Sequence, residues 1–152
     1  MSTSSPSRST SRAGNQTLAL VIGAVYLLVG LAGFFVTGLS GFTEHDHSRT
    51  LLGFAINPLH NIVHIAIGLA GIALSRTVGG ARTFGFLLLV GYGATFLYGL
   101  FAVNASWDFL NINWADNILH LVSALAGLAL VMWPRSRTDG YSSTPGSTRP
   151  TS

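Results

Sequence analysis

Two short stretches hold most of the side chains in this sequence that are able to do chemistry. Asn57-Pro-Leu-His60-Asn61-Ile-Val-His64-Ile65 and Asn113-Trp-Ala-Asp116-Asn117-Ile-Leu-His120-Leu121 share the pattern N-x-x-x-N-I-Φ-H-Φ, where Φ is apolar. His60 and His64 are four residues apart and so share one face of a helix, as do Asp116 and His120. Imidazole and carboxylate groups so placed suit a transition metal such as zinc or copper, and two of the histidines suit axial ligation of a haem. His60, His64, Asp116 and His120 are therefore the metal candidates. A second reading makes Asn57, Asn61, His64, Asn113, Asn117 and His120 an interhelical polar cluster. In it these side chains hydrogen-bond across a bundle, and Asn57 and Asn113 cap the two helices. A third has the same groups line a path for a proton or small solute, gated by histidine protonation. The polar-cluster reading is preferred, because Asn and His commonly join helices in this way. It assigns no catalytic residue and no cofactor.

Other chemistry is thinly represented. The chain has no cysteine, which removes disulfides, thiolate-bound zinc, iron–sulfur clusters and thiol nucleophiles. No G-x-S-x-G, Walker A, H-E-x-x-H or dinucleotide-binding glycine motif is present. Glu44-His45-Asp46-His47 has metal-ligating residue types, but four adjacent polar residues define no coordination geometry, so a solvated loop is expected. The expectation is a non-enzymatic protein.

The elements that must position these residues follow from composition. Of 152 residues, 49% are hydrophobic and only 9% charged, against about 25% charged in ordinary soluble domains. Four long apolar stretches run Thr17–Gly38, Pro58–Ser75, Thr83–Val103 and Trp114–Trp133. Each approaches the ~20 residues that cross a hydrocarbon core, where backbone groups must be satisfied within the segment. The fold expected is all-α: a four-helix transmembrane bundle spanning 17–133, between polar Ser/Thr-rich tails at 1–16 and 134–152 that are too polar to fold. The first stretch is longer than a signal-peptide core and lacks an A-x-A-like site, so it reads as a retained helix. On these boundaries His64 and His120 lie about 9–10 Å below the helix starts.

Arginine placement gives an orientation. Arg8, Arg12, Arg76, Arg82, Arg135 and Arg137 flank one set of helix ends, whereas the other loops carry Arg49 with Glu44, Asp46 and Asp108. Basic segments resist translocation, so both termini are expected on the cytoplasmic side of the cytoplasmic membrane. Trp107, Trp114 and Trp133 fall at helix ends, as in an aromatic belt. The net charge of +3 comes from scattered arginines rather than a basic patch, which argues against nucleic acid. The partners expected are the lipid bilayer and either a second copy or another membrane protein.

The repeated Asn/His motif reads as two tandem hairpins in parallel orientation, with Gly30 aligned to Gly99. Small residues four apart (Ala19/Gly23, Ala66/Ala70, Gly91/Thr95/Gly99, Ser123/Gly127) are expected to let the helices approach closely. NPLHNIVHIAIGLAG and ADNILHLVSALAG, with the glycine-rich first helix, resemble a family of small actinobacterial four-helix membrane proteins that form a domain of unknown function. The resemblance covers about Gln16 to Trp133. It implies a four-helix bundle and brings no substrate, cofactor or catalytic residue.

Overall fold

A computed structural model describes residues 13–134. The chain forms α1 (Gly14–Thr37), a small antiparallel hairpin of β1 (Thr50–Leu51) and β2 (Phe54–Ala55), then α2 (Pro58–Leu74), α3 (Val78–Ala102) and α4 (Trp114–Val131). The expected all-α bundle is present. Three helices, α1, α3 and α4, are long and apolar enough to cross a membrane, whereas α2 has 17 residues. Pro58 occupies the first turn of α2, where its missing N–H costs nothing, and Asn57 caps that turn by accepting from the His60 N–H at 2.9 Å.

Two helix starts differ from the sequence expectation, and each helix ends one or two residues earlier than expected. α1 begins at Gly14 rather than Thr17, because the Gln16 carboxamide reaches back to accept from the Ala13 N–H. The rest of the expected 1–16 tail, and all of 134–152 except Pro134, lie outside the described residues. α3 begins at Val78 rather than Thr83, because the Thr77 hydroxyl caps it by accepting from the Gly80 N–H. A cap outweighs two consecutive helical glycines here. Arg82 thus lies within α3, where it donates to the Trp133 carbonyl.

Close packing is within the pairs α1–α2 and α3–α4. Glycine makes it close: a Cβ on Gly71 would stand 2.7 Å from the Gly23 Cα, and one on Gly127 would stand 2.6 Å from the Leu89 nitrogen. Of the stripes expected, Gly23, Gly99 and Gly127 make close contacts, whereas those of α2 and the first part of α3 differ. Gly68 and Gly71, not Ala66 and Ala70, face α1, and Gly85 faces α4, while Gly91 has open space around it. Between the pairs the interior is filled by Ala19, Tyr26, Ala81, Phe84, Leu88, Tyr92, Ala124 and Leu130. The outward faces carry bare apolar side chains such as Leu28, Phe35 and Phe101, as a lipid-facing surface would.

The β-hairpin was not legible as structure. Its turn takes Leu52 and Gly53 at φ 55° and 90°, the two successive left-handed residues of a tight hairpin turn. Leu52 projects outward while Ala55 and Ile56 are buried, so this apolar segment is half folded into the protein.

Candidate functional site

The loop end of the bundle, where the α1–α2 and α3–α4 connections meet, concentrates the polar residues. Asn113 caps α4 by accepting from the Asp116 N–H, and the Asp116 carboxylate returns an acceptor to the Asn113 N–H at 3.1 Å. The same carboxylate oxygen accepts from the Ala55 N–H at 2.9 Å, so it also ties β2 to α4. The Asn113 carboxamide donates to the Gly53 carbonyl. On the other pair, the Asn57 carboxamide donates to the Phe109 carbonyl at 2.9 Å and more weakly to that of Glu44. Each cap residue therefore holds the start of its own helix and the connection of the opposite pair.

Asn111, missed in the sequence, is the central tie. Its side chain accepts from the Asp46 N–H and donates to the Asp46 carbonyl, both at 2.9 Å, and also donates to the Ile56 carbonyl at 3.0 Å. It sits at φ 55° and is fully buried. The Glu44–His47 segment, expected to be a solvated loop, is thereby fastened to the α3–α4 connection. Arg49 pairs with Glu44 at 3.1 Å and with Asp46 at 3.4 Å. Ser48, through its hydroxyl and N–H, holds the Asp46 carboxyl below the usual carboxylate range, with a smaller contribution from Arg49.

Asn61 and Asn117 act one turn deeper. Asn61 donates to the Thr37 hydroxyl at 3.0 Å and lies directly against Gly33. Asn117 lies in the same way against Gly99. Any side chain at either glycine would displace the asparagine. Gly33, rather than Gly30, is thus placed against the asparagine side chain of its partner helix as Gly99 is.

The histidines enter a ring cluster that the sequence did not disclose. Ring centroids are 4.5 Å apart for His60 and His64, 5.1 Å for His64 and Tyr26, and 5.2 Å for Tyr26 and Tyr92. The circuit closes through Tyr92 to His120 at 5.4 Å and His120 to His60 at 6.1 Å. His64 and His120 do not simply face one another; each lies against a tyrosine. The Ser123 hydroxyl donates to the Leu119 carbonyl, which leaves its oxygen to accept from the Tyr26 hydroxyl. The Nδ1 atoms of His60, His64 and His120 are buried without a hydrogen-bond partner among the described residues. Two lateral cavities reach this cluster. One of about 380 Å³ opens between α1 and α4, over Tyr26, His64 and Ser123. Another of about 310 Å³ lies between α2 and α3, over His60, Tyr92 and His120.

Of the residues singled out in the sequence, His60, His64 and His120 come together. Asp116 makes no bond to them: its Oδ2 accepts from the two backbone N–H groups, and the residue lines the α1–α4 cavity together with His64. Tyr26 and Tyr92 had one available signal, since the sequence interval between them equals that between Gly33 and Gly99.

The fold and its surface define an all-helical bundle of membrane-spanning character with a polar, loop-fastened end. The chain belongs to the family described as Domain of unknown function (DUF4383), whose model matches residues 16–133, a span that takes in nearly all of the four helices. No curated protein and no solved structure matches the chain.

Proposed function

We propose that this chain is a multi-pass protein of the cytoplasmic membrane with a structural or interaction role and no catalytic activity of its own. Both termini and the α2–α3 connection lie on the cytoplasmic side. The observation that carries the reading is how the polar side chains at the loop end are employed. Asn57, Asn111, Asn113 and Asp116 are engaged with backbone groups, so they fasten the fold rather than present a reactive group. The bundle is read as two tandem copies of one helical hairpin in parallel orientation. One interval separates Asn57 from Asn113, Asn61 from Asn117 and His64 from His120, and another separates Tyr26 from Tyr92 and Gly33 from Gly99. The arginine distribution supports the orientation.

The absence of native cysteine makes orientation directly testable. A membrane-impermeant maleimide added to intact cells is expected to label Leu52→Cys, and to label Gly79→Cys only after permeabilisation. The reverse pattern would invert the proposed topology.

A second reading is favoured by one observation, the unpartnered Nδ1 atoms of His60, His64 and His120. In it the ring cluster holds a haem or transition metal and the protein serves membrane redox chemistry. Visible spectroscopy on protein purified in mild detergent separates the two. A colourless preparation sinks the haem reading, and a Soret band lost in His64→Ala and His120→Ala sinks the structural one.

A further inference from the structure

We propose that His45, His47 and Asp108 form a zinc-type transition-metal site that joins the α1–α2 connection to the α3–α4 connection. The site uses none of the residues of the ring cluster, and stands or falls independently of the function proposed above.

Convergence comes first. One ligating atom from each residue lies within 4.8 Å of the other two. Zinc bound to imidazole nitrogen and carboxylate oxygen at about 2.0–2.2 Å sets neighbouring ligands roughly 3.4 Å apart. Small side-chain rotations at His45 and His47, which are partly exposed, are enough to close that difference. The donor set itself selects the ion class: two imidazoles with one carboxylate suit zinc and its neighbours, whereas magnesium and calcium take oxygen ligands. Three protein ligands leave a fourth position for water.

The two imidazoles are also uncommitted in the way metal ligands must be. His45 Nδ1 and His47 Nε2 are buried atoms without a hydrogen-bond partner among the described residues. The His45 Nδ1 to Asp108 Oδ2 separation is 3.7 Å, too long for a hydrogen bond and short enough for two ligands of one ion. An ion pair of His45 with Asp108 would account for one histidine and leave His47 unexplained. The other nearby acids do not compete, because Glu44 and Asp46 are engaged by Arg49.

The surroundings hold the third ligand in place. Asp108 is 1% exposed. Its Oδ1 accepts from the Tyr98 hydroxyl at 2.9 Å and the Leu110 N–H at 3.1 Å, and its Oδ2 accepts from the Ile112 N–H. Such partners fix the orientation of a metal-binding carboxylate. Between the two histidines, the Asp46 backbone is clamped on both its N–H and its carbonyl by Asn111. A tie that grips the residue between two prospective ligands, and comes from the loop that bears the third, sets the geometry before any ion arrives.

The test uses the full chain, tag removed, in mild detergent. After stripping with EDTA it is titrated with zinc chloride against a chromophoric chelator, and bound zinc is counted by mass spectrometry. One zinc per chain is expected, with affinity roughly tenfold or more weaker in His45→Ala and in His47→Ala, the scale on which metal sites respond to loss of a supporting group. His47→Ala alters a partly exposed side chain, and its circular dichroism should match the parent. Asp108→Asn is the harsher variant, and it is read only where the helical signal survives. Cobalt(II) should give the visible bands of a four-coordinate site in the parent chain and not in His47→Ala. No zinc uptake, substoichiometric uptake, or binding that survives the His45→Ala/His47→Ala pair would overturn the proposal. So would binding abolished by His64→Ala and His120→Ala instead.

Discussion

Asn111 shows how one side chain decides the shape of the loop end. It makes three hydrogen bonds to backbone groups, two as donor and one as acceptor, and its left-handed φ is one that asparagine tolerates better than most residues. Asn111→Ala strands those backbone groups and strains the turn, so a loss of about 2 kcal/mol or more is expected. Chemical denaturation followed by circular dichroism in detergent measures it. Asn104, also at positive φ but exposed, is the control: Asn104→Gly should stay within about 0.5 kcal/mol of the parent. Tyr26→Phe removes the buried bond to Ser123. Interhelical bonds of this kind average about 0.6 kcal/mol, so a double-mutant cycle with Ser123→Ala should return a small coupling of that order, and a coupling of several kcal/mol would mean the hydroxyls belong to a larger network. At this scale the sequence was readable where a residue type was out of place. Asn and His inside apolar helices stood out; Tyr26 and Tyr92, near the middle of their helices, did not, because a tyrosine in an apolar run reads as packing bulk, and Asp108 and Asn111 look like ordinary loop residues until two loops are brought together.

Helix packing was legible in kind and misread in detail, for a geometric reason. A small residue every fourth position marks one stripe of a helix, but a glycine-rich helix has several such stripes, and only the partner decides which one is used. In α2, Gly68 and Gly71 take the contact while Ala66 and Ala70 line a cavity beside Phe84 and Leu88. The same logic separates two glycines that look alike in sequence. Gly71→Val would drive a side chain into the Gly23 backbone and the Phe84 ring, at a cost of about 1–3 kcal/mol for overpacking. Gly91→Ala meets open space and removes a flexible helical position, so a neutral effect or a gain of up to about 1 kcal/mol is expected. Thermal aggregation onset in detergent ranks the two variants. Equal losses would show that Gly91 faces a neighbour after all. The start of α3 was misplaced for a related reason: glycine weighs against helix in any propensity sum, whereas a single Thr77 hydroxyl on the Gly80 N–H acts only once the chain has turned.

As a whole molecule, the protein is two tightly packed helix pairs that meet more loosely. Glycine-lined contacts hold each pair together, while the lateral cavities occur where the pairs adjoin. Besides the buried apolar cluster and the bonds of Tyr26 to Ser123 and Asn15 to Val78, the hydrogen bonds that join the pairs are concentrated at the loop end, in Asn57 to Phe109, Asn111 to Asp46 and Ile56, Asn113 to Gly53, and Asp116 to Ala55. Each pair contains at least one helix of membrane-spanning length, and association of the pairs then depends on packing and interhelical hydrogen bonds. Two fragments, 1–76 and 77–152, co-expressed in one membrane, should therefore find each other and co-purify in mild detergent. Asn111→Ala should cut the recovered complex several-fold, because it removes ties between the pairs while leaving both glycine contacts intact. Gly68→Val should act differently, lowering the yield of the first fragment itself, since its contact, with the Leu27 backbone of α1, lies within one pair. If Asn111→Ala leaves the yield of complex unchanged, the pairs are held by their buried apolar surfaces, and the loop end serves only to order the connections.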